Sequence, residues 1–540
     1  MPKNQIFSLT KHPKRFLRRA NQRISLGNAA ALLIVASALG QILGFLRTKL
    51  VNANFDAIGP QSTDAYFAAF KIPDLFFFTL AAGALGVAFM PFLADHLSRG
   101  DKKGVWDLTS SLMNLLSIIM LVIGVVIFVF AEPLLNHVVA PNLSPEQMHN
   151  ASTIMRLIAF NPLLFTLSGI FTSVQQTFGR FFFYAIAPLF YNVMIIFSIY
   201  VFKDDLGLIG LGVGALVGAV LQLLISVLGF IGINPKYRAK INWKSSDFKQ
   251  ILRQLPPRSI DQGIDSINSV VETNFARRLG DGKLSFYENA YTLQSAPTLL
   301  IGTTISTAAF PRLTDRIAQG RTDLFRKEFL QILRAMIWII MPIVVVCYFL
   351  RGYLARLIFA NDAPQIALIF GFFVGAILFR TIYALISRWF YAQKDSHTPL
   401  YVSIFAIALN VYLAYVLSRP SAYDVAGLAM AQSLVAIAEV LILFSIMIVR
   451  DKKLINREFW SGIFRILSVT GFAVITAFIM LDIYPLTSGD KGFFVLGGKL
   501  AAIVLPTFIV YIVMSLVFEL EEARPIIRKI KNIILKPIKF

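Results

Sequence analysis

The chain reads as an all-α polytopic membrane protein of about fourteen transmembrane helices: two six-helix lobes related by a parallel repeat, plus two extra C-terminal helices. Composition, loop charge and an internal repeat lead to that reading. Apolar residues make up 56% of the 540 residues and charged residues 15%, with a mean hydropathy of +0.68, more apolar than a soluble domain of this length. Alternate loops, beginning with 52–63 and counting Arg277 and Arg278 at the end of the seventh span, hold 8 Lys/Arg, while the termini and the remaining loops hold 33. The positive-inside rule then places both termini in the cytoplasm and requires an even number of spans. Finally, AFMPFLADHLSRGD at 88–101 matches AAFPRLTDRIAQGR at 308–321 at a constant offset of 220, through Pro91/Pro311, Leu93/Leu313, Asp95/Asp315 and Gly100/Gly320. Both copies sit at cytoplasmic exits, which sets the repeat axis along the membrane normal.

In chain order, a basic tail at 1–27 precedes an apolar run too long for a signal peptide and lacking a small-residue cleavage site, so it is expected to be retained. A span length of roughly 20 residues divides the N-lobe, 28–232, into spans at 28–51, 64–93, 105–130, 151–178, 183–202 and 207–232. A cytoplasmic amphipathic linker follows at 233–255, in which Phe248, Ile251, Leu252 and Leu255 share one side, as in an interfacial helix. The C-lobe, 256–448, holds spans at 256–279, 284–311, 328–349, 365–392, 399–417 and 424–448. Residues 449–517 carry the last two, at 460–481 and 493–517, before a basic tail at 518–540. Pro73, Pro162, Pro188, Pro297 and Pro342 fall inside spans, where a missing backbone donor permits kinks or hinges.

Several function classes are disfavoured. Most of the +21 net charge faces anionic lipid at the inner leaflet and is topological, and no basic-aromatic module points to nucleic acid. There is no Walker loop, no His/Cys metal spacing and no GxSxG elbow, so the chain reads as a transporter driven by a coupling ion or the membrane potential rather than an enzyme. The sole cysteine, Cys347, reads as packing filler.

The residues that stand out are charges at membrane depth, each costing roughly 2.5–3.5 kcal/mol if left against hydrocarbon. Arg258, Asp261, Asp265, Asn268 and Glu272 recur every three or four residues along the seventh span and share one helix face. That face must meet protein or water, and the default reading is a hydrophilic pathway. Asp265, roughly 13 Å into the span at 1.5 Å per residue, is the foremost candidate to pair with a cation, titrate, or hold a monovalent coupling cation such as sodium. In the second span, Lys71 lies roughly 10 Å below the outer end, near Asp74, while Asp64 suits the helix N-terminus. Arg47 ends the first span, and Glu288 opens a polar run in the eighth.

The runs LGFLRTKL, TDAYFAAFKIPDLFFFTLAAGALGVAFMPFLADH and AAFPRLTDRIAQG resemble the MurJ (MviN) lipid II flippase family of the multidrug/oligosaccharidyl-lipid/polysaccharide exporter superfamily, in a divergent member. The resemblance implies a V-shaped pair of lobes around a cationic cavity for an undecaprenyl-pyrophosphate-linked glycan, and a lipid-tail groove formed by the last two helices. It implies a bacterial cytoplasmic membrane location and partners among cell-wall synthesis proteins. Arg47 matches the family's first-helix arginine, and Asp64 and Lys71 match its TDAFxxAFKxP motif. Gln41, Phe77, Phe78, Ala82 and Thr292 stand where members often carry charge. The expected substrate contacts are Arg47, Lys71, Asp64, Gln41, Asp74 and Arg258, with Asp261, Asp265, Asn268, Glu272 and Glu288 in charge pairing or coupling. The rival readings are a flippase for another lipid-linked oligosaccharide, a cation-coupled small-molecule exporter, and a non-transporting envelope scaffold.

Overall fold

The computed structural model describes Asn21 and residues 26–82, 89–359 and 362–524, without the side chains of residues 26–28, 30, 31, 82, 254 and 256–262. Most of the two basic tails lies outside the described residues, as do the side chains of Arg258 and Asp261. Among the described residues the regular structure is entirely helical. The first part comprises α1 (Leu26–Asn54), α2 (Thr63–Phe76), α3 (Met90–Ser98), α4 (Lys102–Leu134), α5 (Pro145–Ile158), α6 (Asn161–Thr177), α7 (Phe182–Leu206), α8 (Ile209–Leu228) and α9 (Ser246–Leu279). The second comprises α10 (Lys283–Pro297), α11 (Thr304–Ala318), α12 (Thr322–Phe349), α13 (Arg351–Ile358), α14 (Ala363–Ala392), α15 (His397–Leu417), α16 (Ala426–Arg450), α17 (Arg457–Ile483) and α18 (Phe493–Val517).

Eleven segments of the described chain are long and apolar enough to cross a membrane. The three further spans of the sequence reading are helical in their described residues. Of these, α2 and α10 run only 14 and 15 residues before widening into π-helical turns, and α9 is crowded with charge. The π turns at Phe77–Ala82 and Thr298–Thr303 sit within one residue of the 220-residue repeat offset, so the two copies also break their helices in the same place. Both follow a proline inside the preceding helix, Pro73 and Pro297, which withholds a donor and disturbs the hydrogen-bond register.

Backbone contacts divide the chain into two compact units, Met1–Ser285 and Phe286–Phe540. The whole of α9 therefore packs with the first unit, although the repeat groups the seventh span with the second lobe. Residues 246–255 depart from the expected interfacial helix: they are the first turns of α9, and Phe248 and Ile251 are fully buried beside Leu93, Trp106 and Leu116. Within this unit α7 and α8 approach closely along Gly210, Gly214 and Gly218. A Cβ there would come within 2.7 Å of Phe202 Cβ, 2.3 Å of Ser198 Oγ and 3.0 Å of the Tyr191 backbone, the small-residue spacing that brings membrane helices together.

The second unit has its main core between α12, α14 and α16, around Phe329, Leu333, Trp389 and Leu443. The last two helices pack on α12: Trp338 donates its Nε1–H to Ser515 at 2.9 Å and Tyr511 donates to the Trp338 carbonyl at 2.8 Å.

Candidate functional site

The charged positions of α2 and α9 meet along an antiparallel crossing. Three contacts fix it: Asp64 with Arg277, Lys71 with Ser269, and Thr79 with Gly263. Lys71 Nζ, half-buried, donates to Ser269 Oγ at 2.8 Å. A Cβ on Gly263 would lie 2.5 Å from Thr79 Oγ1, so only glycine lets the π turn approach α9 here. Next to Lys71's partner in the chain, the buried Asn268 donates to the buried Glu272 Oε1 at 2.8 Å. The polar face of α9 is therefore divided: Asn268 and Glu272 are enclosed by protein, whereas Asp265 is exposed.

At the Thr63 end of α2 the side chain of Asp64 is fully enclosed. It accepts from the Arg277 guanidinium, from the Gly282 N–H at 2.9 Å, and from Ser285 through both N–H (2.7 Å) and Oγ–H (2.6 Å). Arg277 also reaches Asp281 at 3.2 Å and the Asn142 carbonyl at 2.8 Å. Gln147 donates to Asp281 at 2.7 Å and to the Gly59 carbonyl at 2.9 Å, and the Gly59 N–H returns to Asp281 at 2.9 Å. Gly59 and Gly282 hold φ of +102° and +77°, the left-handed region that glycine enters without strain. Three connections, 55–62, 140–144 and 280–282, are thus tied into one network around Asp64, Arg277 and Asp281. Composition marked Arg277 only as a loop charge, and nothing local to it announced a partner 213 residues away.

A second polar cluster lies deeper in the same unit. Asp74, half-buried on α2, shares a narrow crevice with Phe70, Pro73, Ile158, Asn161, Pro162, Phe165 and Tyr191. Arg47 on α1 and Asp74 both lie within Coulombic reach of the Tyr66 and Tyr191 hydroxyls. Gln41 lines a separate cleft of about 410 Å³ between α1 and α7, with Ser37, Tyr184 and Asn192. Glu288 is half-buried in the second unit, where its carbonyl accepts from Thr292 Oγ1 at 2.9 Å. Among the described residues, no group of three or more His, Cys, Asp or Glu is placed to hold a metal ion.

A family model described as lipid II flippase MurJ matches residues 59–505. The chain belongs to the lipid II flippase MurJ family. Curated relatives carry that description at low identity: a lipid II flippase of Burkholderia cenocepacia is 26% identical over 413 residues, 72% of this chain and 77% of that one. A probable lipid II flippase of Borreliella burgdorferi is 23% identical over 460 residues, 84% and 88% of the two chains. In fold, the chain is similar to a solved lipid II flippase in an inward closed conformation, with a TM-score of 0.74 at 22% identity, over 90% of this chain and 98% of that one. An inward-facing multidrug transporter of the MATE family matches with a TM-score of 0.65 at 16% identity, over 78% and 98%. The chain is thus a multi-pass bacterial membrane protein of a transporter family, not an enzyme.

Proposed function

We propose that this chain is a lipid II flippase, moving a polyprenyl-pyrophosphate-linked peptidoglycan precursor from the inner to the outer leaflet by alternating access. The observation that carries the reading is the family match over residues 59–505. Alternating access is supported by the likeness of the fold to both inward-facing and outward-facing members of the superfamily. The pyrophosphate is an anion that charge-assisted hydrogen bonds recognise well. Arg47 and Lys71 are our candidates to meet it, with Gln41, Asp74 and Arg258 around the headgroup path; Asp64, expected from the sequence to join them, is instead enclosed with both carboxylate oxygens filled. The enclosed carboxylates Asp64 and Glu272 hold cations and donors in place between transport steps, and Asp261, Asp265, Asn268 and Glu288 take part in charge pairing or coupling. The lipid carrier is taken as undecaprenyl, the compartment as the cytoplasmic membrane with both termini inside, and the drive as a sodium or proton gradient or the membrane potential. Loop charge supports the orientation. Anionic lipids would line the basic face, and cell-wall synthesis proteins are the expected neighbours.

Reconstitution tests the reading directly. Proteoliposomes carrying fluorescent lipid II should show protein-dependent transfer between leaflets, and the gene should sustain growth of a flippase-depleted bacterium. Absence of both at normal expression would overturn it.

A further inference from the structure

A polar cavity of about 450 Å³ lies within the second unit, between the first turns of α12, the connection that leads into α17, and Glu521 beyond the end of α18. Its size is that of a small-molecule site. Its place is the membrane boundary, at the end that loop charge assigns to the cytoplasmic leaflet. α12 runs 28 residues, about 42 Å at 1.5 Å per residue, and so overshoots a hydrocarbon core of about 30 Å. Its charges Asp323, Arg326, Lys327 and Arg334 all lie at the cavity end. Buried Leu330, Leu454 and Phe459 line the same cavity. Beside it Trp460 is exposed in the first turn of α17, an amphipathic ring of the kind found at headgroup level. Phe464 and Leu467 continue that exposed face along α17, at the four- and three-residue steps of a helix.

The cavity carries both signs of charge. Arg326, Lys327, Arg334 and Lys453 line it together with Asp323, Glu458 and Glu521. Arg326 is held by Asp323 and Asp451. Arg334 lies 2.5 Å from Glu522, the two side chains 14% and 6% exposed. Gly462 makes room for the guanidinium, since a Cβ there would come within 2.5 Å of its central carbon. The contact lies off the N–H axis, and neither Arg334 Nε nor Glu522 Oε2 has a hydrogen-bond partner among the described residues. The guanidinium is thus balanced in charge, while its Nη donors remain for a ligand in the cavity. Lys327, Lys453, Glu458 and Glu521 are exposed and make no ion pair among the described residues. An anion alone would leave the two glutamates unmatched, and a cation alone the two lysines.

We propose that this cavity binds the headgroup of a zwitterionic phospholipid bearing a primary amine, of the phosphatidylethanolamine type. The phosphate meets Arg334, Lys327 and Lys453 through charge-assisted hydrogen bonds. The ammonium, with three N–H donors, meets Glu458 and Glu521. A choline headgroup has no N–H to give those carboxylates, and a glycerol headgroup has no cation. The acyl chains follow Trp460, Phe464 and Leu467 into the bilayer. So placed, the lipid joins α12 to the last two helices. The site stands on this cavity alone and does not depend on the flippase reading.

The test is native mass spectrometry of the purified full-length chain, delipidated in detergent and titrated with phosphatidylethanolamine, phosphatidylcholine and phosphatidylglycerol of matched acyl chains. One phosphatidylethanolamine per chain should bind about tenfold more tightly than either of the others, the gain expected of a charged hydrogen bond. Lys327→Gln with Lys453→Gln should weaken all three lipids. Glu458→Gln with Glu521→Gln should weaken phosphatidylethanolamine alone and bring it level with phosphatidylglycerol. Lys236→Gln, in the first unit, should change nothing. The four altered side chains are exposed, so both double variants should fold, and their thermal midpoints without lipid check it. No headgroup preference in the native chain, or a preference that survives both double variants, would overturn the proposal. So would displacement of the lipid by free phosphoethanolamine at equal concentration, which would make the occupant a soluble molecule.

Discussion

Asp64 and Asp74 stand ten residues apart on one helix, and their surroundings are opposite in kind. Asp64 is fully enclosed, with an arginine, a serine hydroxyl and two backbone N–H groups donating to it. Asp74 is half-buried beside two prolines and an amide that has no hydrogen-bond partner among the described residues. A carboxylate whose acceptor sites are filled is a brace, because moving it breaks several charge-assisted bonds at once. The comparison therefore separates, within one helix, a carboxylate braced on every side from one that lies beside an amide with no hydrogen-bond partner among the described residues.

The sharpest way to break the comparison is to remove Arg277. Arg277→Ala leaves Asp64 buried without its counter-charge and should cost about 3–5 kcal/mol, read as a large drop in the thermal midpoint of the purified protein. Replacing both partners, Asp64→Leu with Arg277→Met, should recover much of that loss, since an apolar pair of similar volume often matches a buried ion pair. A double variant no better than Arg277→Ala would show that the serine and backbone bonds to Asp64, not the ion pair, hold the connections.

The next effect tests the ligand side. Lys71→Ala should weaken lipid II binding tenfold or more, because a bond to a charged group contributes about 1.5–3 kcal/mol, whereas Lys536→Ala on the C-terminal tail should change it little. Native mass spectrometry with lipid II reads both, and equal affinities would remove Lys71 from the headgroup path.

Two buried asparagines then sharpen the contrast by sign. Asn268→Leu strips Glu272 of a donor and should destabilise by about 1–3 kcal/mol. Asn161→Leu removes an amide that has no partner among the described residues, so it should be neutral or stabilising. Thermal unfolding of the two variants side by side decides it; destabilisation of both to the same degree would erase the distinction.

The smallest expected effect concerns the 393–396 connection, where Asp395 sits beside Thr398 and Arg450. Partial burial pushes its carboxyl up, but the Thr398 bonds and the Arg450 guanidinium outweigh it and hold the pKa down at about 2. A depressed folded pKa stabilises at pH above the unfolded value of about 3.9, and that stability is lost as pH falls toward 2. Asp395→Asn should therefore cost about 1 kcal/mol at pH 7, with the gap to the native chain closing between pH 4 and pH 2. A gap constant across that range would exclude the ionised carboxylate as its source.

Much of this was legible in the chain itself. Hydropathy and loop charge add up residue by residue, so the helical membrane class, the repeat and the polar character of α2 and α9 could be read without coordinates. The TDAYFAAFKIPD run carried the family, because short motifs survive where overall identity is only about a quarter. Partner choice was not legible. Arg277 looked like one more loop charge until the fold brought Asp64 to it. Phe248 and Ile251, on a one-sided helix, suggested a lipid surface, yet Trp106 and Leu93 cover them. Pro162 marked a place for a kink in the fourth span, but only the packing around the α5–α6 break left the neighbouring Asn161 amide without a hydrogen-bond partner among the described residues. Local pattern determined what each segment is, since burial and helix formation depend on near neighbours. The tertiary structure decided which charges are satisfied, since a hydrogen bond is a short-range contact between groups that the chain places far apart.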